Sequence, residues 1–253
     1  MNKETLQLIL NINNKSYTVF SDLHIFHNNV FDYEQVSRWK INDILDIKEF
    51  SWYEFSKRFI NNINNNYPII NLWDFLFHLW DEKITNNKDV IQLWEQVSSR
   101  MIVILWNHDL NKNNKLNSIE YDINWNIVSK PKASVFDLFN VKVFYVLEDN
   151  DTRFIFSHYP VWYFDIKNNN RFPFFEKLDK FIQEKYIDNS DKKIVNIHGH
   201  THSVRFDRLE NISYVNACID SLIENIEPEN WKTVVNFWDW VDTKDVLKFL
   251  DKE

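Results

Sequence analysis

The chain has 253 residues, enough to bury one sizeable core, and its 44% hydrophobic and 26% charged residues are the balance of a soluble globular protein. A formal net charge of −8, with no concentrated basic run, works against nucleic acid as a dedicated partner but not against a small phosphoester. No run of about 18 apolar residues is present to span a membrane, the amino terminus lacks a secretory pattern, and the one cysteine, Cys218, excludes an internal disulfide framework, so a cytoplasmic setting is expected.

In chain order, residues 17–22 form a short apolar strand, and an amphipathic pattern over 34–47 predicts a helix. The next helix is expected at 53–65, where Phe55, Phe59, Ile60 and Ile63 make one apolar stripe. A strand at 67–72, a helix at 88–99 and a strand at 101–106 follow. Strands are then predicted at 141–147 and 152–157, a helix at 174–187, strands at 193–197 and 212–217, and a last helix at 243–251. The runs beginning at 17, 67, 101, 152 and 193 are rich in β-branched or aromatic residues, and Asp, Asn or His stands at or just beyond each end. Strands alternating with helices imply a layered α/β protein. The Asn-rich tracts read as turns. With no linker or repeat, residues 1–253 are expected to be one domain, its motifs within about 17–220 and an extension at 221–253.

The 8 histidines fall in a few short segments at predicted strand ends. These are Ser21-Asp22-Leu23-His24 with His27 just beyond, Asp74 to His78, Asn107-His108-Asp109, Ser157-His158-Tyr159-Pro160, and His198-Gly199-His200-Thr201-His202. In open α/β sheets the carboxyl ends of strands form the binding crevice, so these segments can converge. Neutral imidazole and carboxylate oxygen suit divalent Zn, Mn or Fe, and one carboxylate can bridge two ions. Two such ions clamp an in-line displacement at phosphorus. A single His at a strand end is usually structural, and Asp-x-His alone is a weak signal. His-Gly-His-x-His is far more specific, because alternate residues share a face and glycine permits a tight backbone.

In this order the motifs resemble those of the calcineurin-like metallophosphoesterases: Asp22-Leu23-His24, then Trp73-Asp74, Trp106-Asn107-His108-Asp109, His158, and Gly199-His200-Thr201-His202. The run at 21–29 and Ser157-His158-Tyr159-Pro160 are similar to a branch of smaller bacterial and phage members. The resemblance implies a two-sheet β-sandwich flanked by helices and hydrolysis of a phosphomonoester or phosphodiester by a metal-activated hydroxide. It implies that Asp22, His24 and His202 hold one ion, that Asn107, His158 and His200 hold another, and that Asp74 bridges them. His108 would be the general acid or a phosphate-contacting residue, oriented by Asp109. His27 would line the phosphate pocket or stand behind the ligands, whereas His78 and His198 read as supporting residues. The metal pair is open among Mn, Fe, Zn and Ni. An inactive metal-binding relative and a nuclease of the same superfamily are the competing readings.

Two positions depart from the family pattern, because Trp73 and Trp106 stand where it has glycine. The chain has 1 Gly and 11 Trp, against roughly 18 glycines at average usage. Trp80, Trp125, Trp238 and Trp240 also sit in turn-like sequence. UGA is read as tryptophan in some genetic codes and as glycine in a few bacterial lineages. The pattern therefore suggests that many or all of these tryptophans are glycine in the native protein; the competing reading is genuine tryptophan in a degenerate relative.

Overall fold

The computed structural model describes residues 7–63, 66–72, 74–75, 88–105, 119–129, 138–161, 173–200 and 212–224. The first element, unanticipated from the sequence, is β1 (Leu8–Ile12), an alternating strand that pairs antiparallel with β2 (Lys15–Phe20). Their turn is Asn13-Asn14 with φ of 50° and 61°, and asparagine is one of the few side chains that tolerates this left-handed region. The helices α1 (Val30–Tyr33), α2 (Gln35–Ile44) and α3 (Trp52–Asn62) come next. Ser51 starts α3 by accepting the Glu54 N–H at 3.1 Å, and the stripe Phe55, Phe59, Ile60 and Ile63 is buried as its spacing required. The chain continues through β3 (Ile69–Asn71), α4 (Lys88–Ser98), β4 (Met101–Ile104), the hairpin β5 (Glu120–Tyr121) and β6 (Ile127–Ser129), and β7 (Asn140–Lys142). Then come β8 (Tyr145–Glu148), β9 (Thr152–Phe156), α5 (Pro173–Ile182) running into a π-helical turn over Gln183–Ile187, β10 (Lys193–His198), β11 (Ile212–Asn216) and α6 (Ile219–Glu224).

The strands form a five-stranded sheet in the order β1-β2-β3-β4-β7, a four-stranded sheet in the order β11-β10-β9-β8, and the small β5-β6 pair. β2 through β7 of the first sheet are parallel, as are β9, β10 and β11 of the second, while β1 and β8 are antiparallel edges. The architecture is mixed α/β. Successive residues of the strands go to two different cores. Tyr17, Val19, Ile70, Leu72 and Ile104 of the first sheet share one buried cluster with Phe154, Phe156, Val195, Ile197 and Val215 of the second. Their neighbours Phe20, Ile69, Met101 and Val103 point the other way, into a cluster with Phe55, Phe59 and Trp94 of the helices. Both faces of these strands are covered, which is why they read as continuous apolar runs.

Residues 141–147, expected as one strand, are two. Asn140–Lys142 extends the first sheet beside β4, and Tyr145–Glu148 belongs to the second beside β9. The crossing is made at Val143, which is buried, and Phe144, which packs edge-on against Phe181 (6.1 Å) and Tyr186 (5.8 Å). The apolar run Val143-Phe144-Tyr145-Val146-Leu147 continues through the crossing, so the sequence gives no sign of it. The hairpin β5-β6 was also unanticipated, and the helix expected at 243–251 lies outside the described residues. No described helix is long and apolar enough to cross a membrane.

Candidate metal centre

The segment after β2 carries Asp22 and His24, the segment after β3 carries Asp74, His158 follows β9, and His200 follows β10. Backbone hydrogen bonds tie these strand ends together. The His24 and Ile25 N–H groups donate to the carbonyls of Asp74 and Phe75 (2.7 and 3.0 Å), and the Gly199 N–H donates to the His158 carbonyl (2.9 Å). The Ser21 carbonyl accepts from Ile219 N–H at 3.2 Å, bringing in the start of α6.

Among the described residues, two groups of three place their donor atoms within 4.8 Å of one another: Asp22, His24 and Asp74, and Asp74, His158 and His200. Asp74 is common to both. Its Oδ2 lies 3.9 Å from His24 Nε2 and 3.8 Å from His158 Nε2, while His24 Nε2 is 3.8 Å from Asp22 Oδ1. His158 Nε2 and His200 Nδ1 are 3.2 Å apart. Ligands of one tetrahedral ion with bonds near 2.1 Å stand about 3.4 Å from each other, so these separations suit donors around a shared ion. Two carboxylates buried this closely repel unless a cation lies between them. The donor set therefore fits divalent metal, and these Asp and His groups could bind metal ions.

The His158 imidazole is oriented for this. His158 Nδ1 is 2.9 Å from the Leu72 carbonyl, and donating there leaves Nε2 with its lone pair toward Asp74 and His200. The other oxygen of Asp22, Oδ2, accepts the His200 backbone N–H at 2.9 Å. Asp22, His24, Asp74 and His200 all have positive φ, at 61°, 51°, 46° and 66°. Such backbone costs about 1–3 kcal/mol per residue and gathers at functional sites. Gly199, the single glycine, is required by close approach. A Cβ there would overlap Ser21 Oγ and come within 2.5 Å of Asp22 Oδ2.

His27 lies on the same turn as His24, its N–H donating to the His24 carbonyl (2.9 Å) and its ring 5.6 Å from that of His24. His198 is buried and faces away toward Tyr214, with Nδ1 on the Gly199 carbonyl at 2.9 Å. The ring of Tyr159 rests on His200, 3.8 Å between centroids. Burial first, and the Asp74 and Asp22 carboxylates second, push its hydroxyl far above the usual tyrosine range, so it stays protonated. Asn107, His108, Asp109, His202, His78, Trp73 and Trp106 lie outside the described residues.

Two supporting groups were missed in the sequence. Asn196, fully buried in β10, donates to the Ile155 carbonyl (2.9 Å) and Ser157 Oγ (2.8 Å) and accepts the Val161 N–H (2.8 Å). It thereby orders the loop bearing His158, and its signal was a polar residue inside the apolar run Ile194-Val195-Asn196-Ile197. The second is Arg38 with Asp220, which left no local signal because the partners are far apart in the chain.

No family model matches the chain, and no curated protein matches it. Among solved structures, it is similar to a protein of unknown function from Aquifex aeolicus, with 19% identity, 81% of this chain and 90% of that chain covered, and a TM-score of 0.48. It is also similar to a conserved uncharacterized protein, described as a predicted phosphoesterase, from Streptococcus pneumoniae, with 16% identity, 79% and 70% covered, and a TM-score of 0.31.

Proposed function

We propose that the chain is a dinuclear metal-dependent phosphoesterase of the calcineurin-like type, built on that family's two-sheet sandwich. The observation that carries this reading is Asp74, one buried carboxylate shared by two groups of metal-binding donors. Asp22, His24 and His202 serve one ion, Asn107, His158 and His200 the other, and Asp74 both. Two divalent ions, from among Mn, Fe, Zn and Ni, would supply an activated water and neutralise charge on the phosphoryl oxygens. The protein's own part is positional. The Leu72 carbonyl fixes the tautomer of His158, and the His200 N–H fixes Asp22. His108, oriented by Asp109, gives a proton to the leaving oxygen. His27 faces the phosphate from the turn that carries His24. A small phosphoester, nucleotide-like or simpler, suits the net charge of −8 better than nucleic acid does.

The test is metal content together with turnover of p-nitrophenyl phosphate and bis(p-nitrophenyl) phosphate. Two ions per chain and hydrolysis of at least one ester are expected. Two ions without turnover of either ester would mark an inactive metal-binding relative, and no bound metal would overturn the reading altogether.

A second reading concerns the residue at the turn tryptophans, which we infer to be glycine in the native protein. Trp125 supports it. This residue closes the β5-β6 hairpin with φ of 61°, its N–H on the Asp122 carbonyl at 3.0 Å, just where a turn followed by a left-handed residue takes glycine. The inference is confined to turns. Trp94 is fully buried in the helix-side core and the Trp52 indole donates to Asn28 Oδ1 at 2.9 Å, whereas the case at Trp125 rests on its backbone, its ring lying 5.4 Å from Tyr121 and 6.2 Å from Phe181. Mass spectrometry of peptides covering 73, 106 and 125 from the native source decides it: tryptophan at these positions ends the idea.

A further inference from the structure

Beneath the Asp22–His24 loop lies a charge that the metal groups themselves do not explain. Arg38 of α2 is 1% exposed, and Asp220 of α6 is fully buried. Arg38 Nη2 donates to the Asp22 carbonyl (2.6 Å) and to Asp220 Oδ2 (2.8 Å), while Nη1 donates to the Leu23 carbonyl (3.0 Å). Ser37 Oγ holds the other Asp220 oxygen at 2.6 Å. A buried ion pair adds little to stability over an apolar pair of the same volume, so the fold alone does not call for one here. What it provides is a planar fork that fixes two successive carbonyls of one loop. A lysine ammonium cannot reproduce that geometry. The fixed loop is the one whose Asp22 and His24 backbones are left-handed, with the carbonyls turned toward α2 and the side chains toward Asp74.

A lone guanidinium so close to a dication would oppose metal binding. Asp220 removes that objection, because the pair is neutral. We infer that Arg38 is a positioning residue for the Asp22–His24–Asp74 group, with Asp220 as the counter-charge that lets a guanidinium serve there without repelling the ion. The inference rests on the dinuclear reading above and names what sets the affinity of one of its two ions. The other group, His158 and His200 with Asp74, has no bond to the fork among the described residues.

The test is titration with Mn2+, followed by electron paramagnetic resonance and calorimetry, of the chain carrying the native residues at 73 and 106. Arg38→Lys, Asp220→Asn and the charge-free pair Arg38→Met/Asp220→Leu are compared with it, each checked for cooperative unfolding. Two ions are expected in the parent. In Arg38→Lys one ion keeps its affinity and the other weakens at least tenfold. Asp220→Asn weakens that same ion through the uncompensated cation, and the charge-free pair weakens it through loss of the fork. A folded Arg38→Lys protein that binds both ions within a factor of two of the parent overturns the inference. Equal weakening of both ions also overturns it, because that is the mark of a general structural role. If Arg38→Lys fails to fold, the charge-free pair is judged by the same criteria. A parent that binds fewer than two ions refutes the dinuclear reading itself.

Discussion

At the scale of single residues, the centre depends on atoms that have no room to change. Asp74→Ala removes the one carboxylate common to both groups, and loss of both ions and of turnover is expected by metal analysis and ester hydrolysis. Gly199→Ala drives a methyl group into Ser21 and Asp22, so we expect a loss of about 1–3 kcal/mol in denaturant unfolding, typical of overpacking, together with weaker metal binding. His198 predicts a pH effect. Its enclosure, only partly opposed by the Gly199 carbonyl, pulls its pKa down from 6.5 to about 4. Between those values the unfolded chain binds a proton that the folded chain refuses, so stability present above pH 6.5 is lost as pH falls toward 4. The loss is about 3 kcal/mol at 1.36 kcal/mol per unit. Unfolding of the metal-free chain near neutral pH and near pH 4.5 measures it, and His198→Asn should show a smaller difference.

At the scale of elements, the aromatic residues behind the metal loops are part of its foundation. Phe75, directly after Asp74, meets the Trp94 ring edge-on at 4.5 Å and Phe139 at 5.5 Å, and Phe59 packs on Phe20 at 5.1 Å. Trp94→Ala should cost about 3–5 kcal/mol by thermal or denaturant unfolding, the range for a large aromatic removed from a core. The stripe on α3 was legible because burial of one face imposes a helical period, and the runs at β2, β3, β4, β9 and β10 because burial of both faces leaves continuous apolar residues. The candidate ligands were legible for another reason: Asp and His at strand ends are rare enough to stand out, and the described ones do meet. Less could be read where meaning is tertiary. The exchange of sheets at Val143 and Phe144 sits inside an unbroken apolar run, residues 143–147. Arg38 and Asp220 are partners only because α2 and α6 pack together behind the loop. The hairpin turn at Asn13-Asn14 was locally encoded by a residue type suited to positive φ, yet no element was expected before residue 17.

At the scale of the whole molecule, the candidate ligands come from both sheets, so a metal held by them would cross-link the two. Because the donors converge only in the folded chain, added Mn2+ is expected to raise the melting temperature, with about 2.7 kcal/mol gained at a hundredfold excess over the dissociation constant, and a chelator to reverse it. Calorimetric scans with and without metal check this. The crossing at Val143 and Phe144 has a further consequence. Every strand of the first sheet precedes it and every strand of the second follows it, so Asp22, His24 and Asp74 lie on one side and His158 and His200 on the other. A chain divided there would yield two fragments, one with the first sheet and Asp22, His24 and Asp74, the other with the second sheet and His158 and His200. Reassembly of the fragments would then be reported by the ions themselves, a complementation pair already drawn in the path of the backbone.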